Sequence, residues 1–283
     1  MTEPRLSCCL TFDFDAVCLW LTTFAQRGPS ARSRGEFGAV AVPRLLDLLA
    51  RHDARATFCV PGHTALAYPH LVEAIRDAGH ELAHHGWIHE SVPTLDEAGE
   101  REALERGLEA LESVAGVRPR GYRSPSWELS ERSVELLLEY GFVYDSSCMG
   151  DDFRPYRLRT GDQCPLDGPM TFGAETSLVE LPVTWGLDDF PVFEPVPPVS
   201  HGLSAPSAVE EIWRGDFDWA YANVRGGVYT LTMHPQVSGR GHRLLFLERL
   251  FAHFASRPGV VFESLGDAAD RWLATRATEA GAV

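Results

Sequence analysis

The chain has 283 residues, of which 45% are hydrophobic and 23% are charged, as in ordinary globular proteins. Its formal net charge is -15 at pH 7 and its pI is about 5.1, and no basic cluster interrupts this acidity. Such a chain is a poor partner for nucleic acid or an anionic membrane, so the composition favours a small or neutral substrate.

The first residues show no pattern of a targeting signal. No basic segment precedes a long apolar one, and the apolar run at residues 6–14 is too short to cross a membrane. We therefore predict a cytoplasmic protein. Its six cysteines form no C-x-x-C pair and no regular framework, which predicts free thiols in a reducing compartment.

Strands and helices alternate along the chain. Strands are predicted at residues 6–14, 55–60, 80–84, 119–123, 142–144, 178–184, 228–233 and 260–263. Helices are predicted at residues 42–52, 64–78, 94–116, 130–140, 207–224, 244–255 and 265–274, the third beginning with a capping box of Thr94 and Glu97. Residues 26–38 read as a polar loop. The alternation predicts one α/β domain over residues 1–283, built on a mostly parallel sheet or barrel, with an irregular proline-rich insertion around 146–206 that holds one strand.

Ionisable side chains recur where successive predicted strands end. They are Asp13, Asp15, His63, His85, His89, Arg123, Asp145, Asp188, Asp189 and His234. The carboxyl ends of parallel strands meet at one face of an α/β fold, where functional sites assemble. The pattern therefore predicts a single site at that face.

The stretch at residues 80–90 contains the pattern most typical of metal binding. His85 and His89 are four residues apart, a spacing that can direct two imidazoles at one ion, and His84 is a further candidate ligand. Alone, such a pair is more often an ordinary loop feature, and a lone Asp-x-Asp such as Asp13 and Asp15 is more often a turn or a helix cap. Together, the simplest explanation is a His-His-Asp metal site with one carboxylate left over as a base.

Four motifs follow one another along the chain: TFDFD at residues 11–15, HGWIH at 85–89, RSPSW at 123–127 and TMHP at 232–235. In this order the sequence resembles the polysaccharide deacetylase (NodB-homology) superfamily, carbohydrate esterase family four, over about residues 6–265. It is most similar to a subgroup that includes the intracellular peptidoglycan deacetylase of Helicobacter, allantoinases and cyclic-imide hydrolases.

The resemblance implies a distorted (β/α) barrel with about seven parallel strands. It also implies one divalent metal ion, zinc before cobalt, nickel or manganese, held by Asp15, His85 and His89. The implied catalytic residues are the general base Asp13, the general acid His234, Arg123, which holds the base, and Asp145, which orients the catalytic histidine. The allantoinase-like relatives without metal lack the paired histidines, so this chain is expected to be metal-dependent.

Predicted pocket residues surround these motifs, although packing or capping explains many of them equally well. They are His63, Trp87, Ser126, Trp127, Glu128 and Asp188. Two departures from the family concern the substrate: Phe14 separates aspartates that are usually adjacent, and Ser126 and Trp127 replace a usual Tyr-Gly pair. With the loops at residues 22–38 and 191–206, they favour a small amide, imide or ureide, or a cytoplasmic sugar precursor, without choosing among them.

The sequence thus predicts a metal-dependent hydrolase of non-peptide C–N bonds, a polysaccharide or N-acetyl deacetylase acting on a small molecule or short glycan. One alternative is ring opening of a cyclic imide or allantoin-type compound by the same residues. Another is a catalytically silent metal- or sugar-binding protein, against which the presence of both Asp13 and His234 argues. The resemblance further implies a homotetramer, which the sequence itself does not establish.

Overall fold

A nine-stranded sheet is the centre of the fold, in a computed structural model that describes residues 4–281. Its strands are β1 Leu6–Asp13, β2 Ala56–Val60, β3 Glu81–His84, β4 Gly121–Tyr122, β5 Tyr144–Asp145, β6 Tyr156–Thr160, β7 Ala174–Glu180, β8 Gly227–Met233 and β9 Val260–Phe262. The α-helices within the described range are α1 Cys18–Leu21, α2 Pro29–Arg51, α3 Gly62–Ala67, α4 Pro69–Asp77, α5 Glu97–Ala115, α6 Ser133–Glu139, α7 Asp189–Phe193, α8 Pro206–Asn223, α9 Pro235–Ser238, α10 Gly241–Ala255 and α11 Leu265–Gly281. No helix in that range combines the length and apolar character needed to cross a bilayer.

The strand order is β6-β7-β5-β4-β3-β2-β1-β8, and β9 pairs with the N-terminal part of β1. All strands except β6 share one direction, so eight of the nine strands are parallel where the resemblance implies about seven. All residues of β1 are buried, as expected for a parallel strand covered on both faces. This architecture confirms the predicted α/β class and distorted barrel. The six cysteines are free thiols, as the sequence predicts.

Helix α2 occupies most of the region predicted as a polar loop at residues 26–38. It begins at Pro29, a residue suited to a first helical turn. Its early turns press against the segment that follows β1, since a Cβ atom on Gly35 would lie 2.3 Å from the carbonyl oxygen of Ala16. The loop prediction is wrong because this tertiary packing outweighs the weak helical propensity of a glycine- and serine-rich sequence.

Two boundaries also differ from the prediction. The insertion holds two strands rather than one, because β6 pairs antiparallel with β7. Helix α5 begins after Asp96, whose Oδ1 accepts a hydrogen bond from the Gly99 N–H at 2.8 Å. The predicted capping box is wrong, since Thr94 instead ends a 3-10 turn. Two candidate caps lie within three residues there, and the carboxylate satisfies the helix N-terminus.

Candidate metal centre and active site

The predicted site residues emerge together at the carboxyl ends of the central strands. Asp13 ends β1 and Asp15 lies two residues on, while His85, Arg123 and His234 directly follow β3, β4 and β8. These strands stand in the order β4-β3-β2-β1-β8, so their ends form one edge of the sheet. The prediction of a single site at this edge agrees with the geometry.

A tight turn, not a helix, joins the two predicted histidine ligands. The carboxylate of Glu90 accepts hydrogen bonds from the N–H groups of Trp87 and Ile88 at 2.9 and 2.7 Å, which closes the turn. His89 adopts a positive φ of 61° in this turn. The ring centroids of His85 and His89 are consequently only 5.2 Å apart.

These histidines converge on Asp15. One ligand atom from each of Asp15, His85 and His89 lies within 4.8 Å of the others, and all three side chains are buried. Both carboxylate oxygens of Asp15 are buried and make no hydrogen bond. An ionised carboxylate without hydrogen bonds is costly to bury, so a cation among these three groups would satisfy it. One carboxylate and two imidazoles form a donor set that suits zinc and other divalent transition metals.

A hydrogen bond at Nδ1 orients each of the two imidazole rings. His85 Nδ1 lies 2.7 Å from the backbone oxygen of Arg123, an acceptor only, so Nδ1 carries the proton and donates it. His89 Nδ1 lies 2.8 Å from Thr23 Oγ1. Burial lowers the pKa of His89, which favours the neutral imidazole that metal binding requires. Such orienting contacts are typical of histidine ligands.

Asp13 is held by the buried side chain of Arg123. Its Oδ1 accepts a hydrogen bond from Arg123 Nη1 at 2.8 Å, and the same guanidinium also donates to Thr11 Oγ1 and to the backbone and side chain of Ser146. Burial alone would raise the pKa of Asp13, but the charge and hydrogen bond of Arg123, together with the charges of His85 and His234, outweigh it and lower that pKa to about 2. Asp13 is therefore an ionised carboxylate, held as the resemblance implies.

His234 is held by the carboxylate of Asp189, which lies in the crossing segment, the residues 181–205 between β7 and α8. His234 Nδ1 lies 2.7 Å from Asp189 Oδ1, and the second oxygen of Asp189 accepts a hydrogen bond from Ser238. Burial would lower the pKa of His234, but the hydrogen bond and charge of Asp189, aided by Asp188, raise it well above its usual value. The other ring nitrogen, Nε2, lies 3.6 Å from Asp15 Oδ2.

The prediction that Asp145 orients the catalytic histidine is therefore wrong, and Asp189 makes that contact. Asp145 ends β5, which stands five positions from β8 in the sheet, and it lies beside Glu180. Asp189 reaches His234 because the crossing segment pairs with β8 through a bridge between Asp188 and Thr232. Asp189 stands at a predicted strand end in the sequence, but no local pattern distinguishes it from Asp145.

Asp145 instead belongs to a buried network that supports Arg123. Its Oδ1 accepts a hydrogen bond from Ser147 Oγ at 2.7 Å, and Ser147 Oγ accepts one from the backbone N–H of Ser124. Glu180 Oε1 accepts hydrogen bonds from the backbone N–H of Ser147 and its successor, both at 2.9 Å. This network fixes the loop after β5, whose first residue binds the Arg123 guanidinium.

A cavity of about 300 Å³ opens beside these groups. Four of the six predicted pocket residues line it: Ser126, Trp127, Glu128 and Asp188. So do Asp13, His89 and His234. Sequence reasoning did not single out the apolar side chains of its lining, which come from short helical turns and loops without a distinctive pattern: Leu19, Phe24, Trp185, Phe190, Pro191 and Val199.

His63 and Trp87 lie outside the lining of this cavity, which corrects their predicted role. His63 Nδ1 lies 3.3 Å from Cys18 Sγ, and its ring packs edge-on against Trp87. The Arg106 guanidinium stacks on the indole of Trp87, 4.0 Å from the ring centroid. Both side chains turn away because α3 starts immediately after β2 and packs against the histidine turn, where Gly62 approaches Trp87 closely.

Comparisons with known proteins identify the family of this chain. The family model described as polysaccharide deacetylase matches residues 9–144. The peptidoglycan deacetylase of Helicobacter pylori is 37% identical over 275 residues, which cover 92% of this chain and 94% of that protein. A peptidoglycan deacetylase-like protein of Gibberella zeae is 33% identical over 263 residues, covering 84% of this chain and 77% of that protein.

Solved structures show the same fold. A Mycobacterium smegmatis protein assigned as a polysaccharide deacetylase superimposes with a TM-score of 0.86 at 40% identity, covering 97% of this chain and 92% of the other. An allantoinase superimposes with a TM-score of 0.79 at 23% identity, covering 96% and 92%, a likeness that concerns the fold alone.

Proposed function

The chain belongs to the polysaccharide deacetylase family, and we propose that it is a metal-dependent hydrolase of non-peptide amide bonds. One observation carries the proposal: the buried Asp15 carboxylate, which accepts no hydrogen bond, faces His85 and His89 beside a cavity that His89, Asp13 and His234 line. A metal-binding protein without catalytic activity would need neither the last two side chains nor their supporting partners.

The proposed ligands are Asp15, His85 and His89, and zinc is the ion that their donor set favours. When bound, a divalent cation supplies Lewis acidity that polarises the amide carbonyl and acidifies water. The chain's contribution is a pair of imidazoles already oriented through their Nδ1 atoms and a carboxylate with no competing hydrogen bond.

Asp13 and His234 divide the proton transfers between them. The Arg123 contact keeps Asp13 ionised, so its carboxylate can accept the proton that the attacking water loses. His234, protonated and anchored through Nδ1 to Asp189, can donate from Nε2 to the departing nitrogen. That donation is needed because an amide anion is a very poor leaving group.

Ring opening of a cyclic imide or ureide is the second candidate, and the size of the cavity favours it. The cavity is at the lower end of the range for small-molecule sites, and Pro191 and Val199 contribute to its wall, whereas a long glycan needs an extended groove. The purified protein, with zinc, cobalt or manganese added, should be offered acetylated amino-sugar oligomers, succinimide, hydantoin and allantoin. Acetate release supports the deacetylase, whereas ring opening without acetate supports the rival.

A catalytically silent binding protein would bind metal and turn over none of these compounds. Protein that neither retains a metal on purification nor takes one up on soaking would contradict the metal-dependent proposal outright. The cytoplasmic location and the homotetramer stay predictions from the sequence and the resemblance.

Replacing Asp189 with asparagine should move the alkaline limb of the pH–kcat/KM profile to lower pH. The amide can still accept the Nδ1 hydrogen bond, but it removes the negative charge that raises the pKa of His234. His234 would then lose its proton nearer neutrality and fail as an acid above that pH. Initial rates between pH 5 and 10 measure the shift.

Asp218→Asn is the matched control, because Asp218 pairs with His253 at 2.9 Å away from the cavity. Its profile should equal that of the unsubstituted protein. An unmoved alkaline limb in D189N would show that His234 is not the group whose proton limits the reaction.

A further inference from the structure

The cavity wall is dominated by apolar and aromatic side chains. Phe24 and Phe190 stack with centroids 6.0 Å apart, and Trp127 and Trp185 lie 4.4 Å apart. Leu19, Pro191 and Val199 complete this lining. None of these side chains can hydrogen-bond a hydroxyl group except through an indole N–H.

Most polar groups at the cavity already have partners within the chain. Thr23 Oγ1 is engaged by His89, and Ser200 Oγ donates to the backbone oxygen of Pro191 at 2.8 Å. Asp188 accepts a hydrogen bond from the Phe190 N–H at 2.8 Å. Ser126 and Glu128 are the polar side chains of the lining that stay available to a ligand. A sugar ring entering here would lose water from several hydroxyls and regain only part of those hydrogen bonds, which is unfavourable.

The apolar wall adjoins the proposed general acid. The ring of Phe190 packs on the ring of His234 with centroids 5.4 Å apart. Because His234 protonates the departing nitrogen, the substituent on that nitrogen must lie close to His234. It therefore lies close to Phe190 and to Phe24, which stacks on it.

We propose that the physiological substrate is an amide whose nitrogen carries a compact, mainly apolar group, such as a carbocyclic or branched aliphatic amine, rather than a sugar. The inference rests on the proposed amide hydrolysis at this cavity. In the reaction, water adds its oxygen to the carbonyl carbon, the C–N bond breaks, and the nitrogen takes up a proton. The products are a carboxylate and a protonated apolar amine.

The test compares two acetamides that share a six-membered ring, N-acetylcyclohexylamine and N-acetylglucosamine, with the metal-loaded protein. We expect kcat/KM for the cyclohexyl compound to exceed that for the sugar at least about tenfold, since even one methylene in an apolar pocket is worth about tenfold or more. Faster turnover of the sugar or its oligomers would overturn the inference while leaving amide hydrolysis intact.

Substitutions in the apolar cavity wall test which side chains cause the selectivity. Phe24→Asn should shrink the selectivity ratio about tenfold by placing an amide where the apolar group lies. Val199→Asn, at a side chain that is 71% exposed and so does not endanger folding, should shrink it about threefold. Val40→Asn is the matched control, because Val40 is 49% exposed on α2 and does not line the cavity.

A binding measurement tests the apolar site independently of the proposed hydrolysis. If neither acetamide is turned over, the selectivity ratio cannot be measured, and the thermal shift that each compound causes compares their affinities instead. A larger shift with the cyclohexyl compound, reduced in F24N and V199N but not in V40N, supports an apolar site. Equal shifts, or a larger one with the sugar, would overturn it.

Discussion

Asp13→Asn is expected to lower kcat by about a thousandfold while the content of bound metal stays unchanged. Asparagine has the same shape and its oxygen can still accept the Arg123 hydrogen bond, but it cannot take a proton from water. The loss should therefore appear in kcat, with little change in substrate affinity. Single-turnover rates measure the loss in the chemical step, and metal analysis on the same sample measures the content of bound metal.

The same substitution should also reduce stability. The pKa of Asp13 is about 2 when folded, against 3.8 as the usual value, so its ionisation stabilises the fold above about pH 4 and the contribution disappears as pH falls through 2. The difference corresponds to about 2.5 kcal/mol at neutral pH. D13N removes this contribution and leaves Arg123 buried without its counter-charge, so urea unfolding at pH 7 should show a loss of about 2–4 kcal/mol.

Asp15→Asn is the informative comparison, because the two aspartates are only two residues apart and are proposed to have different roles. D15N should lose the metal, whereas D13N should keep it. If D13N loses metal and D15N retains it, the assignments of base and ligand are reversed.

His85→Gln is expected to abolish metal binding and to lower activity at least about a thousandfold. His85 supplies one of the two imidazoles that face Asp15, and a glutamine side chain is a weak ligand with different reach. The protein without substitution should gain thermal stability when zinc is added, by about 2.7 kcal/mol at a hundred times the Kd. H85Q should gain none.

His84→Gln is a control offered by the adjacent residue. His84 is buried, and burial lowers its pKa to about 3, so it stays neutral. Its Nε2 lies 3.1 Å from the backbone oxygen of Leu104, away from the proposed ligands. H84Q should lose stability but keep both the bound metal and the stabilisation by zinc. Metal loss in H84Q with retention in H85Q would disprove the proposed ligand set.

Much of this site can be predicted from the sequence because its signals are local. Alternation of strands and helices determines a parallel sheet, and a parallel sheet carries strand-end residues to one edge. The five-residue turn from His85 to His89 determines the approach of the two rings. Asp13 and Asp15 need only the end of one strand to reach the same edge.

Contacts between segments distant in the chain could be decided only by the tertiary structure. Helix α2 forms in a sequence typical of loops because Gly35 allows it to touch Ala16. The lining of the cavity comes from short segments, around Phe24 and Phe190, that meet only in the folded protein. The spacing of these segments in the sequence does not predict that they are in contact.

Which aspartate contacts His234 also depends on segments distant in the chain. Asp145 and Asp189 are both aspartates near strand ends, and no local pattern separates them. The bridge between Asp188 and Thr232 decides between them, because it joins the crossing segment to β8 and leaves Asp145 on the far side of the sheet. Sequence by itself determined which residue types gather at the strand ends. Strand order and long-range pairing decided which of them touch, because those depend on contacts between residues far apart in the chain.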